Sequence, residues 1–243
     1  MNKPIVSIII ATFNAAKTLK IALDSVLNQT YQDWECIIID GVSKDNTIEI
    51  IKSYTELDNR FRYISEPDNG IYDAFNKGWK IAKGKWIYYL GADDELLSNG
   101  LQDLITKDTS NTEMITGDVY VRFDNGELKP RYSYGINCSH QGVLVLRCVL
   151  EKLKGFDLKY KILADKDFLI RFENKGYRVK NERVYIALFS LGGISQSLHG
   201  TFIKAKENYE IYKNDSNTKF PLIKTCKIFI NSLIRIIYRK LMF

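Results

Sequence analysis

The feature that most constrains the fold is an alternation in the first 90 residues, where short, mostly apolar runs are separated by amphipathic segments. The runs are four to six residues long, as expected of strands buried on both faces. They lie at residues 6–11, 36–39, 61–65 and 86–90. Between them, apolar side chains recur at helical spacing. Strands that alternate with helices predict a parallel sheet with right-handed crossovers.

The second half of the sequence has a different pattern. Two strand-like stretches, 114–123 and 128–134, flank Asp124-Asn125-Gly126, which is a hairpin signal. Further strands are predicted at 141–146 and 179–188, and further helices at 148–153 and 165–175. We therefore predict an α/β fold with a mostly parallel sheet in the first half and a mixed sheet in the second.

Charge and composition exclude several classes of site. The net charge of +6 comes entirely from residues 201–243, which carry nine Lys or Arg against three acids, so the rest of the chain is balanced and nucleic acid is not an expected partner. The four cysteines are far apart and there are only two histidines, which argues against a zinc cage or a multi-histidine metal site. The sequence starts too close to its first strand for a signal peptide, and no apolar run reaches transmembrane length.

Asp93 and Asp94 follow the fourth apolar run directly. Adjacent carboxylates repel and raise each other's pKa, so a buried strand rarely ends this way for stability. At the carboxyl end of a parallel strand, they suit a divalent cation that carries phosphates. The alternative is an ordinary turn in which residues 91–94 cap the following helix.

Other polar residues follow the earlier strands, and the carboxyl ends of parallel strands share one edge of the sheet. Phe13 offers an aromatic face to a base, Asp40 offers an acceptor to a ring N–H, and Asp93 offers a metal ligand for a diphosphate. Neither a G-x-G-x-x-G motif nor a P-loop follows the first strand. The charge of the phosphates would therefore be neutralised by a cation.

The order and spacing of several motifs resemble the family 2 inverting glycosyltransferases, over residues 5–172. The motifs are SIIIATFN at 7–14, SVLNQTY at 25–31 and IDGVSKDNT at 39–47. The segments SEPDNGIYDAFNKG at 65–78, LGADD at 90–94, CSHQ at 138–141 and GFD at 155–157 resemble the bacterial polysaccharide-assembly branch of that family. The resemblance implies a GT-A fold, with a Rossmann-like sheet flanked by helices. It also implies a nucleotide-binding half at 1–95, an acceptor-binding half at 96–200 and a basic, amphipathic helical tail at 201–243.

The resemblance also implies a set of site residues. Asp165 matches the catalytic base, which takes a proton from the acceptor hydroxyl. Asp93 matches the metal-binding acid, with Asp94 beside it, and the cation is Mn²⁺ or Mg²⁺. His140 and Gln141 are expected on the acceptor or metal side. The donor pocket is expected to include Thr12, Phe13, Asn14, Asp40, Glu66, Asp73, Asn76, Ala92 and Asp93.

The expected reaction moves a sugar from a nucleotide-diphospho-sugar, with UDP as the favoured nucleotide, to a glycan or lipid-linked glycan with inversion. The expected pathway is assembly of a bacterial surface polysaccharide such as capsule or lipopolysaccharide. The first acid of the family's D-x-D motif is Gly91 here, and the Q-x-x-R-W element of processive synthases is absent, which favours single addition. The sequence leaves open whether the protein forms a homo-oligomer, which sugar it transfers and which linkage it makes.

From Lys224 onward, Lys227, Asn231, Arg235 and Arg239 form a polar stripe on an otherwise apolar helix. This pattern favours a membrane surface rich in anionic lipid, hence a cytoplasmic protein held at the inner face of the cell membrane. The alternative is a helix packed on protein. Two rival functions also stay open: a non-catalytic nucleotide-sugar binding or scaffold protein, and a sugar nucleotidyltransferase, which usually has a Gly-rich basic loop that residues 12–17 lack.

Overall fold

The computed structural model describes residues 3–105, 109–123, 125–190 and 197–242, with side chains described up to residue 234. Three strands and three helices alternate at the start of the chain: β1 (Val6–Thr12), α1 (Leu19–Leu27), β2 (Trp34–Asp40), α2 (Thr47–Leu57), β3 (Phe61–Ser65) and α3 (Ile71–Ile81). β4 (Trp86–Gly91), β5 (Glu95–Leu96) and α4 (Gly100–Ile105) follow. The remaining strands and helices are β6 (Met114–Arg122), β7 (Leu128–Arg131), β8 (Val143–Leu146), α5 (Arg147–Leu153), α6 (Ala164–Asn174), β9 (Val179–Ser190), α7 (Leu198–Asn214) and α8 (Pro221–Met242).

The described strands form one sheet in the order β3-β2-β1-β4-β8-β6-β9-β5, with β7 paired to β6. β1 pairs in parallel with β2 and β4, and β2 pairs in parallel with β3, so the first four strands end at one edge. β8 runs antiparallel to both β4 and β6, which makes the second half of the sheet mixed. The α/β prediction is confirmed.

Both faces of the sheet are buried. Ile9, Ile37 and Tyr89 pack with α3, α5 and α6 on one face, whereas Ile8, Ile38 and Tyr88 pack with α1, α2 and α4 on the other. This two-sided burial explains why β1 and β2 are apolar at nearly every position. A rigid central sheet of this kind fixes the positions of the loops at its carboxyl edge.

Two strands in the second half are shorter than predicted by two or more residues, and two short elements are unpredicted. Residues 140–142 form a 3-10 turn and only Val143–Leu146 is a strand, because the backbone at Gly142 lies against Gly117: an added Cβ would come within 2.6 Å of the Gly117 carbonyl. β7 ends at Arg131, after which Ser133 turns away and donates from its hydroxyl to the Gly117 carbonyl at 2.8 Å. β5 and α4 are unpredicted, since two and six residues are too few to show periodicity.

The tail consists of two helices, and the first begins earlier than predicted, at Leu198. α7 and α8 pack together, with the rings of Phe202 and Phe229 5.4 Å apart. The predicted positions Arg235 and Arg239 lie outside the described side chains. No helix in the described part of the chain has both the length and the hydropathy to span a bilayer.

Candidate active site

A cavity of about 720 Å³ opens at the carboxyl edge of β1 and β4, a size typical of small-molecule sites. The loops after β1 and β4 form two walls, and the amino-terminal end of α3 forms a third. Thr12, Phe13, Asn14, Ala92 and Asp93, all predicted pocket residues, line it. The structure therefore brings together residues that are 80 positions apart in the sequence.

The loop after β1 holds the ring of Phe13 out toward this cavity. Asn14 adopts a left-handed conformation with φ of 51°. Its backbone N–H donates to the Ser43 hydroxyl at 2.8 Å, and its side-chain oxygen accepts from the N–H of Lys44 at 2.8 Å. The β1 loop is thus clamped to the β2 loop, and Phe13 is left 64% exposed. An exposed aromatic ring at a fixed position suits stacking against a planar base.

Asp40 is fully buried and its carboxylate is occupied by four donors from the protein. The hydroxyl of Thr12 donates at 3.1 Å, the hydroxyl of Ser65 at 2.7 Å and the N–H of Ser43 at 3.0 Å, and the Ser43 hydroxyl donates as well. Asp40 does not line the cavity. Its position indicates that it fixes the loops that build the cavity.

We expect Asp40→Asn to lower the free energy of unfolding by roughly 2–4 kcal/mol at pH 7, because several donors lose a charged acceptor. Burial opposes ionisation, but the hydrogen bonds from Ser43, Ser65 and Thr12 outweigh it and hold the pKa of Asp40 below its ordinary value. This stabilisation is complete above the ordinary Asp pKa of about 3.9 and is lost as the pH falls through the lower folded pKa. Urea unfolding of wild type and Asp40→Asn should show that the difference between their free energies of unfolding becomes smaller below pH 4. A difference that does not change with pH would contradict the stabilising role of the Asp40 carboxylate.

Asp68 also faces the cavity; the sequence places it after the third strand but gives it no role in the site. Gly41 leaves room for it: a Cβ at that position would lie 2.7 Å from Oδ2 of Asp68 and 3.4 Å from the Phe13 ring. Oδ1 accepts from the N–H of Gly70 at 2.9 Å, whereas no described residue donates to Oδ2. Asp68 appeared to be a turn residue because Pro67, Asn69 and Gly70 surround it.

Three other predicted pocket residues lie outside the cavity lining. Glu66 pairs with Lys77 at 3.0 Å, and Asp73 accepts from the N–H of Asn69 at 3.0 Å at the start of α3. Asn76 is buried, donates to the Phe156 carbonyl at 2.8 Å and accepts from the Phe156 N–H at 2.9 Å. Their contacts hold α3 and its preceding loop in place.

The two acids after β4 have different environments. Asp93 is exposed and lines the cavity. Asp94 is 2% exposed, accepts from the N–H of Ser190 at 3.0 Å and from the side-chain amide of Gln141 at 2.9 Å. Burial, and then the charge of Asp93, raise the pKa of Asp94. Gly91 leaves room for them, because a Cβ added at this position would crowd the Asp94 carboxylate.

These residues fit a cation that arrives with the substrate better than a preformed metal site. Among the described residues, no cluster of three His, Cys, Asp or Glu side chains is arranged to hold a metal ion. Mg²⁺ in phosphate-transfer sites is commonly held by one or two carboxylates, phosphate oxygens and water. Asp93 provides one exposed carboxylate of this kind, and Asp94 braces the loop that carries it.

Asp165 lies at the start of α6 and meets two side chains from other elements. The Tyr72 hydroxyl lies 3.0 Å from its Oδ1, and Nδ1 of His140 lies 3.7 Å from its Oδ2. Burial would raise the pKa of Asp165, but interactions with His140, the N–H of Lys166 and Tyr72 outweigh it and hold the pKa below its ordinary value. The Asp165 side chain as a whole remains 30% exposed, so its ionised carboxylate is not fully enclosed by the protein.

A residue from the tail also supports this acid. Glu207 of α7 accepts three backbone N–H groups, from Lys161 at 2.6 Å, Ile162 at 3.1 Å and Leu163 at 2.9 Å. Those residues lead directly into α6. The sequence carried no signal for this contact, because Glu207 lies more than 40 positions away in a segment interpreted only as a basic tail.

We expect Glu207→Ala to lower the free energy of unfolding by roughly 2–4 kcal/mol, because three N–H groups lose their shared acceptor. Turnover should fall as well, since the loop before Asp165 loses its anchor. Glu210→Ala, which removes an exposed carboxylate from the same helix, is the matched control and should behave as wild type. Equal unfolding curves for the two variants would show that the contacts of Glu207 do not stabilise the fold.

Sequence comparisons show which known proteins this chain resembles. Residues 7–184 match the family model described as Glycosyl transferase family 2. The chain is 32% identical over 209 residues to a PGL/p-HBAD biosynthesis glycosyltransferase of Mycobacterium tuberculosis, covering 82% of each chain. It is 34% identical over 101 residues to the putative teichuronic acid biosynthesis glycosyltransferase TuaG of Bacillus subtilis, covering 41% of this chain and 40% of that one.

Solved structures share the fold. The S. aureus TarS 1-349 complex with UDP-GlcNAc superposes with a TM-score of 0.68 at 17% identity, over 94% of this chain and 71% of that one. The mannosyltransferase PcManGT from Pyrobaculum calidifontis, in complex with GDP-Man and Mn²⁺, gives a TM-score of 0.68 at 16% identity, over 94% and 70%. These are GT-A structures, so the predicted GT-A fold is confirmed.

Proposed function

Because this chain belongs to glycosyl transferase family 2, we propose that it moves a sugar from a nucleotide-diphospho-sugar, with UDP as the nucleotide, to a saccharide or lipid-linked saccharide with inversion at the anomeric carbon. The observation that carries this proposal is the composition of one cavity. It is lined by an exposed ring (Phe13), by a carboxylate with one oxygen to which no described residue donates (Asp68), and by an exposed acid (Asp93). In this proposal, Phe13 faces the nucleotide base, Asp68 faces the ring N–H of that base, and Asp93 faces the cation that accompanies the diphosphate.

In this proposal, the nucleotide base stacks on Phe13 and its ring N–H donates to Oδ2 of Asp68. Asp40 contributes through Thr12, Ser43 and Ser65, which it holds in place. Asp68→Asn should weaken UDP binding about tenfold or more, as expected for a lost hydrogen bond to a charged group. CDP lacks the N3–H of uracil, so its binding should weaken less. Isothermal titration of both nucleotides would measure this, and an equal loss for UDP and CDP would contradict the assignment.

A divalent cation on Asp93, when bound, would neutralise the negative charge that develops on the departing diphosphate. Asp94 keeps the Asp93 loop in position through Ser190 and Gln141. Mn²⁺ bound to PcManGT makes a divalent cation a reasonable expectation here. Whether the cation is Mn²⁺ or Mg²⁺ stays open.

Asp165 acts as the general base. Its carboxylate takes the proton of the acceptor hydroxyl as that oxygen bonds to the anomeric carbon, and the bond from the anomeric carbon to the diphosphate oxygen breaks. The nucleoside diphosphate leaves with the electron pair of that bond. One displacement of this kind inverts the configuration. Tyr72 and His140 orient the carboxylate.

The test of this function is release of nucleoside diphosphate from a panel of nucleotide sugars with Mn²⁺ present. We expect at least one UDP-sugar to be consumed above the enzyme-free rate, slowly with water and faster with a saccharide acceptor. UDP binding without any release would favour the scaffold alternative. Formation of a nucleotide sugar from a sugar phosphate and UTP would favour the nucleotidyltransferase.

The tail supports a second part of the proposal, attachment to the inner face of a bacterial membrane. Phe220, Leu222, Ile223 and Ile230 are all more than half exposed on or next to α8. Such side chains beside basic residues suit a surface of anionic lipid. The full chain should sediment with phosphatidylglycerol vesicles and not with phosphatidylcholine vesicles, and Ile223→Asp should weaken that binding. Sedimentation of equal amounts of the protein with both kinds of vesicle would favour the alternative, in which α8 packs on protein.

A further inference from the structure

The hydroxyl of Tyr72 lies between two hydrogen-bond acceptors. Its oxygen is 2.8 Å from the backbone carbonyl oxygen of Ile162 and 3.0 Å from Oδ1 of Asp165, the proposed general base. A peptide carbonyl and an ionised carboxylate can only accept, whereas a tyrosine hydroxyl has a single proton to donate. The two acceptors therefore compete for one hydrogen bond.

Tyr72 keeps this proton at neutral pH, and its ring is fixed. Burial, followed by the charge of Asp165, raises the pKa of Tyr72 well above its ordinary value. The ring is buried between aromatic neighbours, with centroids 5.3 Å from Phe156 and 6.3 Å from Phe75. The O–H bond can thus turn from one acceptor to the other while the ring stays in place.

The two oxygens of Asp165 have different surroundings. Oδ1 accepts from the N–H of Lys166 at 2.8 Å and faces the Tyr72 hydroxyl. Oδ2 faces Nδ1 of His140 at 3.7 Å, which is longer than an ordinary hydrogen bond. Oδ2 is therefore the oxygen that is left to take the proton of the acceptor hydroxyl. Oδ1 then becomes the carbonyl oxygen of a neutral acid.

The Ile162 carbonyl is held in place by the tail. It belongs to the same peptide unit as the N–H of Leu163, which donates to the Glu207 carboxylate at 2.9 Å. The N–H of Ile162 donates to Glu207 as well, at 3.1 Å. A peptide whose N–H is bonded to a carboxylate is polarised, and its carbonyl is a stronger acceptor as a result.

The stronger of the two acceptors changes with the charge of the base. A hydrogen bond to an ionised carboxylate is roughly twice as strong as one between neutral groups, so Tyr72 donates to Asp165 while the base is ionised. A protonated Asp165 has no such advantage over the polarised carbonyl of Ile162, which is also the nearer acceptor. Because a buried hydroxyl without an acceptor is unfavourable, the second acceptor keeps Tyr72 bonded in both states.

We propose that Tyr72 is a positioning residue whose hydroxyl donates to Asp165 while the base is ionised, and to the Ile162 carbonyl once the base has taken a proton. This inference rests on the proposed role of Asp165 and adds how the site accommodates both of its protonation states. The acceptor O–H bond breaks, its proton goes to Oδ2, and the acceptor oxygen bonds to the anomeric carbon as the diphosphate leaves with its electron pair. The O–H bond of Tyr72 does not break and changes only its direction.

The experiment follows the carbonyl carbon of Ile162 by NMR, through the N–H of Leu163 in an HNCO spectrum of the full chain. Asp165→Asn replaces the carboxylate by a neutral amide and so imitates the protonated base. We expect this substitution to move the Ile162 carbonyl signal downfield, the direction that a gained hydrogen bond gives. The movement should be lost when Tyr72→Phe is also present, because the hydroxyl that turns is then missing.

Turnover provides a second readout. Tyr72→Phe should lower kcat about tenfold, as expected for a lost hydrogen bond to a charged group, and leave KM for the UDP-sugar unchanged. The rate should also begin to fall at a higher pH than in wild type, because the hydrogen bond from Tyr72 lowers the pKa of Asp165. A merely structural role would not move this pH dependence.

Tyr54→Phe is the matched control. It removes a buried tyrosine hydroxyl that donates to a carboxylate elsewhere, on Asp24 between α2 and α1. It should change neither the Ile162 carbonyl signal nor the pH dependence of turnover.

The spectra require no substrate, so they separate this inference from the proposed function. An Ile162 carbonyl signal that does not move in Asp165→Asn, or moves equally without the Tyr72 hydroxyl, overturns the inference even if Asp165→Asn abolishes sugar transfer. A Tyr72-dependent movement in a protein whose Asp165→Asn variant transfers sugar at the wild-type rate overturns the base, and with it the place of Tyr72 in the reaction.

Discussion

Asp165→Asn should lower the rate of sugar transfer by a factor of about 10²–10⁴, the usual contribution of a general base. The amide cannot accept the proton of the acceptor hydroxyl, yet it keeps the size of the carboxylate and an oxygen for Tyr72 to donate to. UDP binding should therefore be unchanged, since Asp165 lies outside the donor cavity. Initial rates of UDP release with an acceptor would measure the effect.

Glu173→Gln is the matched control, because it neutralises an exposed acid near the far end of the same helix. It should transfer sugar at the wild-type rate. A rate for Asp165→Asn within about threefold of wild type, in folded protein that binds UDP, would remove Asp165 from the reaction and leave the neighbouring His140 as the alternative base.

The second large effect is expected at Asp93. Asp93→Asn should lower turnover by a factor of about 10² or more. A metal ion at the leaving group stabilises the developing negative charge by several kcal/mol, and the variant would lose this stabilisation. The residual rate should no longer depend on Mn²⁺ concentration. Asp94→Asn should differ, since both oxygens of Asp94 accept hydrogen bonds from the protein.

We expect Asp94→Asn to keep the dependence of turnover on Mn²⁺. The two adjacent acids therefore act as controls for each other. If Asp94→Asn abolished the Mn²⁺ dependence and Asp93→Asn did not, the exposed acid would not be the metal ligand, and Asp94 would have to turn out of its buried position.

The first half of the fold could be predicted from sequence largely because β1, β2 and β4 are buried on both faces. That environment favours apolar runs, and the observed bounds of these three strands lie within two residues of the predicted ones. The partly exposed edge strand β3 has the predicted bounds. β5 and α4 could not be predicted, because their short sequences depend on contacts with β9 and α1 that are distant in the chain.

The site was predicted in part for a similar reason. Sequence order placed Phe13 and Asp93 at strand ends, and the structure brings both to one cavity. Local sequence cannot show which carboxylate is already occupied, however. Asp40 ends a strand and Asp68 follows one, but only the structure reveals that four groups donate to Asp40 and that no residue in the described part of the chain donates to Oδ2 of Asp68. The contact between Glu207 and the loop before Asp165 likewise depends on how α7 packs.

The central claim is that the cavity at the edge of β1 and β4 binds a nucleoside diphosphate through a cation on Asp93. The most direct test is isothermal titration of UDP, with GDP and TDP as controls, with and without Mn²⁺, into wild type and Asp93→Asn. We expect UDP to bind best, Mn²⁺ to strengthen its binding to wild type about tenfold or more, and Asp93→Asn to lose this gain. Folded wild-type protein that binds none of the three nucleotides, with or without Mn²⁺, would contradict it.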